Sequence, residues 1–175
     1  MSNNNYVWLH NEPGPKILKE ALKILGTKEV VGTGNNPEIL RWAKELNLEN
    51  VYKADSIPWC GLAIAYVVKQ AGYTPVAGPL WALNWNKFGA KVDEAQLGDI
   101  LTFTRKGGGH VGIYVGEDNQ YYHVLGGNQN DEFNIMRISK SRLSNIRRPI
   151  FKIGKPKNVR KIYLNAVGEI SKNEA

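Results

Sequence analysis

The run Trp59-Cys60-Gly61-Leu62-Ala63-Ile64-Ala65-Tyr66-Val67-Val68-Lys69-Gln70-Ala71 decides how this chain folds. Lys69 and Gln70 are its only strongly polar residues, and both stand at its end. Pro58 precedes it and Gly72 closes it, which predicts a helix buried on most sides. Such a helix needs cover. On its N-terminal side, residues 15–25 read as a helix: Pro15 suits a first turn, Ile17, Leu18, Ala21, Leu22 and Leu25 recur at helical spacing, and Gly26 stops it. Residues 37–47 read as another, with Asn36 as cap, Pro37 as opener and Ile39, Leu40, Ala43 and Leu46 as its stripe. A short helix is expected over about 80–88, where Trp81, Trp85 and Phe88 recur at spacings of four and three. The character then changes. Residues 99–104, 110–115, 120–125 and 133–138 are strand-like and separated by Gly- and Asn-rich turns, with a further short strand near Ile150. Helices first and hairpin-linked strands after predict an α+β fold with an antiparallel sheet.

The 175 residues fit one domain, taken as residues 1–150, followed by a basic tail over 151–175 that has no clear apolar period and is expected to be partly mobile. Net charge is +7 but uneven: residues 137–175 hold 11 Lys and Arg against 2 Asp and Glu, so the rest of the chain is slightly acidic. The basic end suits an anionic envelope surface or another polyanion; a solvated tail that only aids solubility is the other reading. No stretch is long and apolar enough to cross a bilayer, and the start lacks the basic and apolar regions of a secretion signal, so the protein is expected to fold in the cytoplasm. A single cysteine excludes an internal disulfide, and with three scattered histidines it supplies a zinc site poorly. No metal and no cofactor are expected, and the charge comes with no nucleic-acid motif.

Cys60 stands where the buried helix should begin. The first N–H groups of a helix lack internal partners and carry partial positive charge, which favours thiolate and can hold an oxyanion. A buried structural cysteine is the alternative reading. His110 opens a strand directly after Gly107-Gly108-Gly109, and on that strand it shares a face with Gly112 and Tyr114. Gly112 would leave space beside the imidazole for a helix end to approach. A surface turn histidine is the bland reading. A third group must orient the ring. Asn128, in Gly126-Gly127-Asn128-Gln129, is the candidate, with Gln129 as a weaker stand-in and turn chemistry as the alternative. His123 reads as a satisfied sheet histidine, and Asp55 as a loop or capping residue, with assistance to the oxyanion as its alternative reading. Of Trp59, Trp81 and Trp85, at least two should be core and the remainder could line a groove.

Four segments in order, Ile57-Pro58-Trp59-Cys60-Gly61-Leu62-Ala63, Gly98-Asp99-Ile100-Leu101-Thr102-Phe103, Gly109-His110-Val111-Gly112-Ile113-Tyr114-Val115-Gly116 and Val124-Leu125-Gly126-Gly127-Asn128-Gln129, closely resemble peptidoglycan hydrolases. The group is the papain-like superfamily of NlpC-type and CHAP-type (cysteine, histidine-dependent amidohydrolase/peptidase) enzymes. Residues 32–39 also resemble it, and the match runs from about residue 15 to Pro149. The resemblance implies a papain-like fold, Cys60 as nucleophile, His110 as base and Asn128 as the polar third residue. It implies a monomer acting on murein as an endopeptidase or N-acetylmuramoyl-L-alanine amidase. Small members without a secretion signal are often phage endolysins, which reach the wall after a holin opens the inner membrane. Two departures stand out. Many members carry Asp-Cys-Ser-Gly where this chain has Trp59-Cys60-Gly61-Leu62, and some carry an acidic residue at the position of Gly126. The rival expectation is a non-catalytic wall- or polyanion-binding module on the same fold.

Overall fold

The computed structural model describes residues 3–172 and 174. Three α-helices, α1 (Lys16–Lys23), α2 (Pro37–Glu45) and α3 (Cys60–Gln70), precede a six-stranded sheet. Its strands are β1 (Ala90–Lys91), β2 (Ile100–Arg105), β3 (Gly108–Glu117), β4 (Tyr121–Gln129), β5 (Glu132–Ser139) and β6 (Leu143–Arg148). Their order is β1-β6-β2-β3-β4-β5 and every neighbouring pair is antiparallel. The α+β class with an antiparallel sheet is therefore observed. Short 3₁₀ segments occupy Asn3–Asn11 and Ala82–Lys87; the first was not anticipated, and the second replaces the short helix expected over 80–88.

Each helix forms for a local reason. The Asn36 side chain accepts the Glu38 N–H at 2.8 Å and Pro37 fills the first turn of α2, whose Ile39, Trp42 and Ala43 are buried. In α1, Ile17, Leu18 and Ala21 form the buried stripe. In α3 every residue from Cys60 to Val68 except Tyr66 is buried, so the helix is wrapped by α1, α2 and the sheet. Val111, Ile113, Val115 and Leu125 meet the helices on one face of the sheet. Leu101, Phe103, Tyr114, Val124, Ile138 and Ile146 form a smaller apolar cluster of their own.

The chain beyond residue 150 does not hang free. Leu97 N–H donates to Arg160 O at 2.9 Å, Glu117 N–H to Ile162 O at 2.8 Å and Leu164 N–H to Glu117 O at 2.8 Å. Further on, Arg137 N–H donates to Glu169 O at 2.8 Å and Ser171 N–H to Arg137 O at 2.9 Å. The expectation of a partly mobile tail is thus corrected: the segment satisfies backbone groups at the outer margin of the sheet. Near its end, a Cβ on Gly168 would lie 3.0 Å from the Tyr6 hydroxyl, so the two described chain ends meet.

Candidate active site

Cys60 is the first residue of α3, only 5 % exposed, and it lines an open groove of about 570 Å³. Its sulfur lies near the backbone N–H groups of Gly61, in the first turn of the helix, and of Val111, on β3. The β3–β4 ladder begins only at Ile113, so the Val111 N–H is not taken by β4. Burial pushes the Cys60 thiol up, and the two N–H groups, with the nearby Arg105 charge, oppose this without overcoming it. The helix-start argument for a resting thiolate therefore loses to desolvation, and the resting group is a thiol.

His110 follows the turn Lys106-Gly107 on β3 and is fully buried. Its Nε2 lies 3.0 Å from Gln129 Oε1. The direction of that bond is fixed by what holds the glutamine. Gln129 Nε2 donates to Val124 O at 3.1 Å, Asn134 O at 2.9 Å and Asn134 Oδ1 at 3.1 Å. The amide nitrogen is therefore committed elsewhere and the oxygen faces the ring. An amide oxygen only accepts, so His110 Nε2 carries the proton. Nδ1 is then the bare lone pair, and it is buried with no hydrogen-bond partner among the described residues. Burial lowers the His110 pKa below its ordinary value of 6.5, while the Glu174 charge and the Gln129 bond pull it back. A neutral imidazole with a free Nδ1 stands one residue from the Val111 N–H that faces the sulfur.

The side chain bonded to His110 is that of Gln129, whereas Asn128 was the candidate and Gln129 the weaker stand-in. The β4–β5 pairing shifts register between Gly126 and Gln129, and Asn128 sits there with a φ of 58°. The bulge changes which residue faces the ring, a change that simple alternation along a strand cannot reveal. Asn128 is buried but makes no bond to His110. Asn134 completes the lock by donating from Nδ2 to Gln129 O at 3.1 Å. Sequence reasoning missed it, although β5 pairing sets it opposite Gly126.

Three glycines allow the close packing around the cysteine, and Gly112 is not among them. A Cβ on Gly112 would meet Val124 Cγ1 at 2.4 Å, so that space is already filled by β4. A Cβ on Gly127 would lie 2.7 Å from the Trp59 ring and 3.0 Å from Ala63, where β4 crosses the start of α3. One on Gly61 would lie 2.2 Å from Pro79 O, where segment 78–82 passes over the helix start. One on Gly126 would lie 3.4 Å from His110 Nε2 and 3.1 Å from Gln129 Oε1, against the bond that fixes the ring.

The other candidates take structural places. Trp59 and Trp85 are fully buried, their indole N–H groups donating to Glu29 and to Pro79 O. Trp81 is 60 % exposed on the groove wall. Asp55 accepts the Val30 and Asn36 N–H groups at 2.8 and 2.7 Å and so clamps the 30–36 loop. His123 is satisfied on both sides: the Tyr6 hydroxyl donates to Nδ1 at 2.7 Å, and Nε2–H donates to Asp118 at 2.8 Å. It has no lone pair left to serve as a base. Compared with protein-family models and with curated proteins, the chain gives no match.

Proposed function

We propose that this protein is a cysteine hydrolase that cleaves a peptide or amide bond of peptidoglycan, in the manner of a phage endolysin. One observation carries the catalytic part. A thiol at a helix start lines a groove, and the strand whose Val111 N–H faces it carries, one residue earlier, a buried imidazole whose proton is fixed on one nitrogen and whose other nitrogen has no partner among the described residues. Murein as substrate rests on the order of the four motifs that resemble wall hydrolases of the papain-like NlpC and CHAP type. A cysteine opening a helix and a histidine on an adjacent strand fit that arrangement.

The resting state dictates the first step. Because the thiol and the imidazole are both neutral, His110 acts as a general base through Nδ1 and takes the Cys60 proton as the sulfur attacks the carbonyl carbon. Gln129 holds the Nε2–H side of the resulting imidazolium by an amide oxygen. The oxyanion forms at the start of α3, where backbone N–H groups lack helical partners. Collapse of the tetrahedral species breaks the C–N bond, and the amine leaves with the proton from Nδ1. Water, deprotonated by the same nitrogen, then attacks the thioester and returns the thiol.

Cys60→Ala and Cys60→Ser test this on purified sacculi. Both should abolish lysis and the release of new amino termini while circular dichroism stays that of the wild type. Normal lysis by Cys60→Ala would end the nucleophile assignment, and a wild type that binds sacculi without lysing them would leave the non-catalytic wall-binding reading.

A further inference from the structure

The groove that holds Cys60 has mostly apolar walls, and one charged side chain, Arg105, stands on its rim. Arg105 ends β2, at the turn that leads to His110. Its Nε–H donates to Gly109 O at 3.1 Å, which fixes the plane of the guanidinium against the glycine loop. Among the described residues no carboxylate pairs with it, whereas Arg137, Arg142, Arg148 and Arg160 each have one. The same side chain also borders a second hollow, of about 620 Å³, with Lys106, Arg142 and Lys172. Among the described residues, no acidic side chain lines either space.

An arginine fixed through Nε keeps its terminal N–H groups in the fork that matches a carboxylate. Half-buried and with no carboxylate partner among the described residues, its guanidinium is placed to take one from a ligand. We infer that Arg105 is a specificity residue of the groove, and that it binds a carboxylate of the substrate while the scissile carbonyl lies at Cys60. This rests on the proposed hydrolysis of murein peptides, whose stems carry free carboxylates at several positions. The ligand class is therefore an acidic peptide, and stems whose carboxylate has been converted to the primary amide should be poor substrates.

The test compares wild type with Arg105→Gln and Arg105→Lys on synthetic stem peptides in which each carboxylate in turn is replaced by its primary amide. For one position, wild type should prefer the carboxylate form by about ten- to a hundredfold in kcat/KM, the range of a charge-assisted hydrogen bond in a partly desolvated site. The preference should fall to near one in Arg105→Gln and be partly kept in Arg105→Lys, which has the charge without the fork. Because each enzyme is judged by a ratio, a general loss of folding does not imitate the result. A wild-type ratio near one at every position, or a ratio unchanged in Arg105→Gln, overturns the inference and leaves Arg105 as a brace for Gly109. A wild type that cuts neither form of any peptide, yet lyses sacculi in a Cys60-dependent way, also overturns it. Absence of both activities overturns the proposed function itself.

Discussion

At the scale of single residues, the site depends on where one proton sits. Gln129 is held by Val124 and Asn134 so that it can only accept from His110, and this leaves the lone pair on Nδ1, the nitrogen proposed as base. Gln129→Leu should therefore lose much of the catalytic rate, by about 10²-fold if the full orienting effect is removed. Asn128→Gly, which suits the positive φ at that position, should stay within about threefold of wild type. Steady-state rates on solubilised murein decide between them, and the reverse ranking would return the third role to Asn128. The pH dependence follows from the same neutrality. Burial lowers the His110 pKa, so the acid limb of kcat/KM should fall below 6.5, and activity should persist in mildly acid solution. Burial raises the Cys60 thiol, so alkylation by iodoacetamide should be slow at neutral pH and still climbing at pH 9. A fast, pH-independent reaction from pH 6 upward would instead indicate a resting thiolate.

At the scale of elements, the tightest contact is between the start of α3 and the segment 78–82. Gly61→Ala would drive a methyl group into Pro79 O, and backbone on both sides resists the move. A loss of about 1–3 kcal/mol is expected, as for overpacked sites, together with weaker activity because the groove wall carrying Trp81 must shift. Chemical denaturation of the variant measures the first and peptide hydrolysis the second. The same elements show what could be read beforehand. The apolar run of α3, its boundary at Pro58 and the cap at Asn36 are local features, and local chemistry fixed them. The place of Cys60 at the start of a helix was legible, whereas β3 begins at Gly108, two residues before the strand start expected at His110. Gln129 was only a stand-in because its role depends on a bulge that appears when β4 pairs with β5. Gly112 was misread for a similar reason: which glycine makes room depends on the crossing of β4 over α3, set by tertiary packing. The two residues of β1 carry no pattern, since they pair only with the far end of β6, and β6 itself ends at Arg148, before the expected Ile150.

At the scale of the whole molecule, the uneven charge of the sequence is largely folded inward. Of the 11 basic residues after position 136, Arg137, Lys140, Arg142, Arg148, Arg160 and Lys161 pair with carboxylates, and five of those partners lie before position 119. Removing residues 151–175 should therefore lower the melting temperature rather than simply detach an anchor. Unchanged melting would show that the segment's bonds to Leu97, Glu117 and Arg137 contribute nothing. An anchoring role is better tested with Lys152, Lys155 and Lys157 changed to Gln, reading salt-dependent sedimentation with sacculi. Acid should unfold the protein in two stages. Burial keeps His110 and His123 neutral by lowering their pKa values, so stability declines from pH 6.5 downward as the unfolded chain binds their protons. Burial raises the carboxyls of Asp118 and Glu174, but their arginine partners bring both down to about 2, so a further loss should run from about pH 4 towards 2. Asp118→Asn should flatten that second stage in a pH series of thermal melts. The meeting of Tyr6 with Gly168 has a topological consequence. A short linker could join the two described ends and new ones could be cut in the exposed bend at Gly32–Gly34, giving a circular permutant in which α1 is synthesised last, after the strands it helps to cover.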